Sequence, residues 1–257
     1  TSHDQKKVER SAMHRVAPGS QAEQVGRLLI AAVLVVFAPQ LPFGNYLIYP
    51  FMILGTWFHE MGHGLTAILF GYDFERLLIY STGSGLAESS MPADASHFSR
   101  AMIAAGGPLG PSIIGSALIL ASAKARLWRP ALITLSLIIT ISTVIWVRST
   151  TGWIVLPAIA VGLALLAWKA SAGWVRFALQ FLGMLAALSM FMSWDYLFME
   201  QANIGGQLIL SDTGAIEANL FLPHWFWAIA LIATATLMIG TSLRYALRED
   251  GSGAGWS

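Results

Sequence analysis

Long apolar runs, separated by short polar segments, dominate the pattern along this chain. Several of these runs reach or approach the ~20 residues that a helix needs to cross a bilayer. We predict seven spans, at residues 27–43, 45–70, 101–123, 130–147, 153–168, 172–194 and 225–243. The pattern predicts an all-α polytopic membrane protein with about six or seven transmembrane helices.

Two stretches depart from the helical pattern. Residues 74–80 are strand-like, residues 81–85 form a turn, and residues 86–88 return as a second strand, so we predict a short β-hairpin after the second span. An unpaired strand of this hairpin could receive an extended substrate by β-addition, and a plain connecting hairpin is the alternative. Further along, Gly205-Gly206 suggests a turn, and Ser211 or Asp212 is the expected N-cap of a short helix.

The third span opens with residues 104–111, which are too rich in Gly and Pro for a regular helix start. The small side chains here favour close packing against the second span. An ordinary kink or entry turn is the alternative interpretation.

Composition supports a membrane protein with one domain. The chain is 56% hydrophobic and only 11% charged, whereas a soluble domain carries about 25% charged residues. We expect a single transmembrane domain at residues 25–243, a polar N-terminal tail at 1–24 and a flexible C-terminal tail at 244–257. The absence of cysteine excludes thiolate ligands and disulfides. No basic stripe with interleaved aromatic residues indicates a nucleic-acid partner.

The chemistry lies in the second span, which holds an H-E-x-x-H motif at residues 59–63. Histidines four residues apart share one helix face, so His59 and His63 can bind one Zn²⁺ and leave Glu60 beside it as a general base. Ionisable groups near the centre of a membrane helix each cost roughly 2.5–3.5 kcal/mol. Metal binding would explain why this helix holds three of them, since a metal needs neutral imidazole ligands and a nearby carboxylate. A hydrogen-bonded polar cluster is the alternative.

The charge pattern leaves the topology open. The basic N-terminus argues for a cytoplasmic start, but with seven spans the basic loop at residues 124–129 would then lie outside, against the positive-inside rule. Either the span count is off by one, or the charge bias is weak.

With these features in place, the chain resembles the intramembrane zinc metalloproteases of the site-two protease clan, in particular the compact bacterial branch. Five features match in order: residues 59–64, the strand and turn ending at residues 83–86, residues 105–111, residues 146–149 followed by Gly152, and Ser211-Asp212 with Pro223 and Trp225 downstream.

The resemblance implies a zinc site in which His59 and His63 are ligands, Glu60 activates water and a distant Asp is the third ligand. Better-studied members place that Asp in an Asp-Gly motif opening a late helix. Here Asp212 opens the corresponding segment and is followed by Thr213, and Asp195 is the second candidate.

The implied activity is hydrolysis of peptide bonds in a membrane-anchored protein substrate, within the lipid bilayer of a bacterial inner membrane. A larger membrane complex is a further candidate partner. The alternative is a non-catalytic family member that serves as a scaffold or assembly subunit of such a complex. Other ionisable residues have structural interpretations: Arg148 and Arg176 as interfacial anchors, His97 as solvated, His224 as interfacial, and Glu88 and Glu217 as surface groups.

Overall fold

A computed structural model describes residues 21–248. The helices in chain order are α1 (Gln21–Phe37), α2 (Gly44–Leu69), α3 (His97–Ser122), α4 (Trp128–Ile145), α5 (Thr150–Lys169), α6 (Ala172–Met192), α7 (Trp194–Leu197), α8 (Asp212–Asn219) and α9 (His224–Ala246). The strands are β1 (Asp73–Ile79), β2 (Gly85–Ser90), β3 (Gln201–Ile204) and β4 (Gln207–Leu210). A long helix lies at each of the seven predicted spans.

Five helices, α3, α4, α5, α6 and α9, are long and apolar enough to cross a membrane by length and composition. Of the two other long helices, α1 has 17 residues, and α2 has 26 residues but carries the polar motif. Large apolar side chains such as Leu69, Trp168 and Leu237 are exposed on the outside of the helices, as expected for a surface that faces lipid. The structure confirms the predicted polytopic all-α class.

Helix α3 is the central element of the bundle, since it packs against α2, α6, α8 and α9. Contrary to the sequence prediction, α3 is regular through its Gly- and Pro-rich segment. It begins at His97 and is capped by Ser96, whose hydroxyl accepts a hydrogen bond from the Ser99 N–H at 3.0 Å. Prolines inside membrane helices are tolerated where neighbouring helices pack closely on them, and Pro108 and Pro111 are both buried.

The glycines of α2 and α3 allow their backbones to touch, as the sequence predicted. A Cβ atom added to Gly62 would collide with the carbonyl oxygen of Gly106 and lie 3.2 Å from the Cα of Gly110. One added to Gly106 would collide with the side chain of Thr66. This contact fixes the spacing and the rotation of the motif helix relative to α3.

The predicted hairpin is confirmed. Strands β1 and β2 pair antiparallel, with Ile79 opposite Gly85. The other edge of β1 is also used, because the Leu77 N–H donates to the Trp146 carbonyl and the Arg148 N–H donates to the Leu77 carbonyl, both at 2.9 Å. Within the described residues, the open edge of this hairpin therefore belongs to β2.

A second antiparallel hairpin, β3–β4, turns at Gly205-Gly206. The sequence predicted this turn but not the two strands, which are only four residues each. The turn contacts the first hairpin, since a Cβ atom added to Gly205 would lie 2.6 Å from the Tyr80 hydroxyl. The two hairpins therefore lie together at one end of the bundle.

The two predicted interfacial arginines behave differently. Arg148 donates to the last carbonyls of α4, including that of Ile145 at 2.7 Å. Arg176, in contrast, is buried, and its guanidinium lies 5.2 Å from the centre of the Trp128 ring. The prediction of a snorkelling anchor is wrong for Arg176 because the starts of α4 and α6 pack together over it. The tails predicted at 1–24 and 244–257 lie mostly outside the described residues and stay predictions.

We predict that Gly106→Ala destabilises the protein, because the added methyl group enters the contact between α2 and α3. Overpacking of this kind costs about 1–3 kcal/mol. The matched control is Gly162→Ala in α5, where a Cβ atom meets nothing within 4 Å, and we expect that variant to be neutral or slightly stabilised. Thermal unfolding of both purified variants in detergent is the measurement, and equal midpoints would contradict the close contact.

Candidate metal centre

The motif helix presents both histidines to one point. The Nε2 atoms of His59 and His63 lie 3.2 Å apart. Asp212, distant in sequence, arrives at the same point: its Oδ2 is 3.0 Å from the Nε2 of His59, and its Oδ1 is 3.2 Å from the Nε2 of His63. All three side chains offer a ligand atom within 4.8 Å of the others, so together they could hold one metal ion.

A hydrogen bond from the Nδ1 atom of His63 fixes the orientation of its ring. Its Nδ1–H donates a hydrogen bond to the Ile103 carbonyl of α3 at 2.7 Å. In a neutral ring this bond places the proton on Nδ1 and leaves a lone pair on Nε2, directed toward Asp212. A second-shell bond of this type is how proteins orient a histidine ligand and select its tautomer.

Gly107 lies directly against the imidazole rings of His59 and His63. A Cβ atom added to Gly107 would collide with the Nε2 of His63 and lie 2.8 Å from the Nε2 of His59. The Gly-rich segment of α3 thus has a second use besides helix contact, because any side chain at this position would fill the space between the imidazoles.

Asp212 is positioned by the cap of helix α8. The Ser211 hydroxyl accepts the Gly214 N–H at 3.0 Å, as the predicted N-cap. Thr213, which follows Asp212 where the resemblance would place a glycine, is fully buried, and its hydroxyl donates to the Leu197 carbonyl at 2.7 Å. The close approach that needs a glycine occurs one residue later, since a Cβ atom at Gly214 would collide with the Glu200 carbonyl. The departure from Asp-Gly therefore leaves Asp212 in place.

The donor set fits a zinc ion. Asp212 is buried, and its Oδ2 atom makes no hydrogen bond of good geometry within the described part of the chain, although it lies 3.0 Å from the Nε2 of His59. The Nε2 of His63, which lies 3.2 Å from Oδ1, is an acceptor in the neutral ring. Two imidazoles plus one carboxylate form a common ligand set of zinc with an open fourth position.

Glu60 lies next to this group and packs against the first hairpin. The Glu60 side chain is buried, and a Cβ atom added to Gly85 would lie 2.6 Å from its Cγ and 2.8 Å from its Oε1. The Thr56 hydroxyl donates to the Gly83 carbonyl at 2.5 Å, which holds the hairpin turn against the motif helix. Glycine at position 85 is thus what allows the hairpin to approach the carboxylate.

A cavity of about 570 Å³ reaches this group. Its walls come from α2, α3, α6, the turn of the first hairpin and strand β3, and they include His59 and Glu60. Tyr196, in the short helix α7, also lines the cavity, with its ring centre 6.4 Å from that of His59. Sequence reasoning missed Tyr196, because nothing in its local pattern places a four-residue helix beside the motif.

The other candidate residues lie elsewhere. Asp195 is exposed and is not part of the His-His-Asp group. His97, the first residue of α3, is also exposed, as expected for a solvated residue. The surface glutamates are paired: Glu88 with Arg76 at 2.7 Å, and Glu217 with the ring of His224 at 2.7 Å.

Fold and site together define a multi-pass integral membrane protein with a buried group of two histidines and one aspartate that could hold a metal. The family comparison agrees with this class. The chain belongs to the Peptidase M50B-like family, whose model matches residues 27–242. No match was found among the curated proteins or the solved structures that were compared.

We predict that Asp212→Asn weakens zinc binding by more than the ~10–100-fold that changes in supporting residues cause. The physical reason is that the charged oxygen facing the two imidazoles is replaced by a neutral amide. The matched control is Asp195→Asn, which should bind zinc as the unchanged protein does. Metal content and competition with a chelator, measured on purified protein, are the readouts, and a larger loss in the Asp195 variant would reverse the choice of third ligand.

Proposed function

We propose that this protein is an intramembrane zinc metalloprotease that hydrolyses peptide bonds of membrane-embedded protein substrates. The single observation that carries the proposal is the convergence of His59, His63 and Asp212 at the wall of a cavity, with Glu60 beside them. Membership of a peptidase family supports a metallopeptidase. The resemblance to the compact bacterial branch supports action in a bacterial inner membrane.

In the proposed mechanism, His59, His63 and Asp212 would hold Zn²⁺. When bound, the ion would lower the pKa of a water to about 7 and polarise the scissile carbonyl. The hydrogen bond from His63 to Ile103 keeps the imidazole in the tautomer that can act as a ligand.

Glu60 is the proposed general base. It accepts a proton from the attacking water on a carboxylate oxygen and passes that proton to the leaving amine. Its burial against Gly85 limits the rotamers available to the side chain. A carboxylate held in this way is pre-positioned for transfer, which is the part of catalysis that this chain itself contributes.

The substrate must present an extended backbone. A transmembrane helix keeps its carbonyls in internal hydrogen bonds, so the bond to be cut is accessible only after local unwinding. Strand β2 supports this step, since β1 is already paired on both edges and β2 begins at Gly85, beside Glu60. We propose that an unwound segment adds to the open edge of β2.

The test is Glu60→Gln in liposomes that contain a membrane-anchored protein substrate. Loss of the general base should reduce cleavage by about 10²–10⁴-fold, while zinc content stays unchanged because the ligands remain. Glu75→Gln is the control, because Glu75 is exposed, lies in β1 and is outside the cavity wall, so its variant should leave cleavage unaffected. Cleavage that persists in the Glu60 variant would overturn the mechanism. A wild-type protein that binds zinc without cleaving any membrane-anchored substrate would favour a scaffold.

A further inference from the structure

Tyr196 carries a hydroxyl group beside the metal group, and the mechanism above gives it no role. The residue lines the same cavity as His59 and Glu60. Its ring lies edge to face with the ring of His59, with 6.4 Å between the centres and 73° between the planes. The charges of Asp212 and Glu60 both act on its phenol. The phenol therefore lies next to both the proposed metal ligands and the proposed general base.

The backbone that carries Tyr196 is fixed to the backbone that carries Asp212. Three hydrogen bonds join the residues after Tyr196 to the two neighbours of Asp212. They run from the Thr213 hydroxyl to the Leu197 carbonyl at 2.7 Å, from the Ser211 hydroxyl to the Met199 carbonyl at 2.5 Å, and from the Ser211 N–H to the Glu200 carbonyl at 2.9 Å. Ser211 and Thr213 are both fully buried, so water does not compete for these bonds. The tyrosine and the third ligand are thus held at a constant separation.

The aromatic ring of Tyr196 is held as well. It packs against an apolar cluster that includes Met190 and Leu197, and it also contacts the ring of His59. A tyrosine has only two side-chain torsions to fix, so it presents its hydroxyl group at a small cost in conformational entropy. A donor that is already in position when the reaction begins is the kind that stabilises a transition state most effectively.

The reaction needs such a donor because the other residues of the site are acceptors. The Nε2 of His63 carries a lone pair, since its proton is on Nδ1, and Asp212 and Glu60 are carboxylates. When water attacks a peptide carbonyl, negative charge develops on the carbonyl oxygen, and two nearby carboxylates oppose that charge. A phenol is protonated at neutral pH and can donate a hydrogen bond to this oxygen.

We propose that Tyr196 is a catalytic residue whose phenol donates a hydrogen bond to the oxyanion that forms on the scissile carbonyl. This inference rests on the proposed protease function. The water oxygen bonds to the carbonyl carbon, Glu60 takes the proton that the water loses, and the C=O electron pair moves onto the oxygen. The C=O bond then re-forms as the C–N bond breaks, and the leaving nitrogen keeps the bonding pair and takes the proton from Glu60. Tyr196 keeps its own proton throughout.

Thr213 acts in this arrangement as a positioning residue. It stands where the resemblance would place a glycine, and glycine has no hydroxyl to bond the Leu197 carbonyl, one residue after Tyr196. Thr213 is fully buried, so its side chain acts on the backbone of α7 and not on a substrate. The departure from an Asp-Gly pair is therefore coupled to the tyrosine that this chain places beside its metal group.

The test is Tyr196→Phe, which keeps the ring and removes only the donor. We expect kcat for a membrane-anchored substrate in liposomes to fall by about 10²–10³-fold. KM should stay unchanged, because the hydrogen bond forms in the transition state and not with the bound substrate. Zinc affinity, measured by competition with a chelator, should also stay unchanged. The matched control is Tyr245→Phe, because Tyr245 is exposed at the end of α9 and lies outside the cavity wall.

A second readout does not depend on turnover. A phosphinic peptide carries a tetrahedral phosphorus whose oxygen resembles the oxyanion, so its affinity for the zinc-loaded Tyr196→Phe protein should fall by a factor comparable to the loss in kcat. Unchanged kcat, or equal affinity of the variant and the wild type for this peptide, would overturn the role of Tyr196. A loss of zinc affinity of about 10–100-fold would also overturn it, because Tyr196 would then support Asp212. A wild type that neither cleaves nor binds the peptide would refute the protease function itself.

The positioning role is tested with Thr213→Val and Thr213→Ser. The valine removes the hydroxyl at similar volume and should lower kcat by about 10–10²-fold, the scale of a misplaced catalytic group, whereas the serine keeps the hydroxyl and should restore kcat. Adding Thr213→Val to Tyr196→Phe should cost little more, since residues that act through one another are not additive. Additive losses, or a loss of zinc affinity in the valine variant, would contradict this role. Thermal unfolding in detergent checks folding, and Thr213→Ala replaces a valine variant that does not fold.

Discussion

The contact between the glycine faces of α2 and α3 is the constraint on which the rest of the structure depends. Without side chains at Gly62 and Gly106 the two backbones touch, and this fixes the rotation of α2 about its axis. The same approach brings the carbonyl of Ile103 to His63 and leaves room at Gly107 for both imidazoles. In lipid, where burial of apolar surface gives no preference for one helix partner over another, such small-residue contacts determine which faces meet.

The group formed by His59, His63 and Asp212 illustrates how a membrane helix bundle can accommodate polar side chains. His59, His63 and Asp212 lie among apolar helices, yet they face one another and a cavity. Two of them are also supported from the protein side, His63 by a backbone carbonyl and Asp212 by the capped start of α8. The three ligand atoms converge as two imidazoles and one carboxylate, the set that a zinc ion takes, and this is the physical reason to interpret the cluster as a site for chemistry.

The sequence by itself determined the helical membrane class, the first hairpin and the two histidines with Glu60, because these depend on local periodicity and on spacing along one helix. It also proposed Asp212 for the third position, but only the tertiary structure placed that carboxylate against the imidazoles and left Asp195 exposed. Two features were decided by packing alone: the regular course of α3 through its prolines and the burial of Arg176. Each depends on which helix ends meet across the bundle, and contacts between segments distant in sequence leave no local pattern from which to infer them.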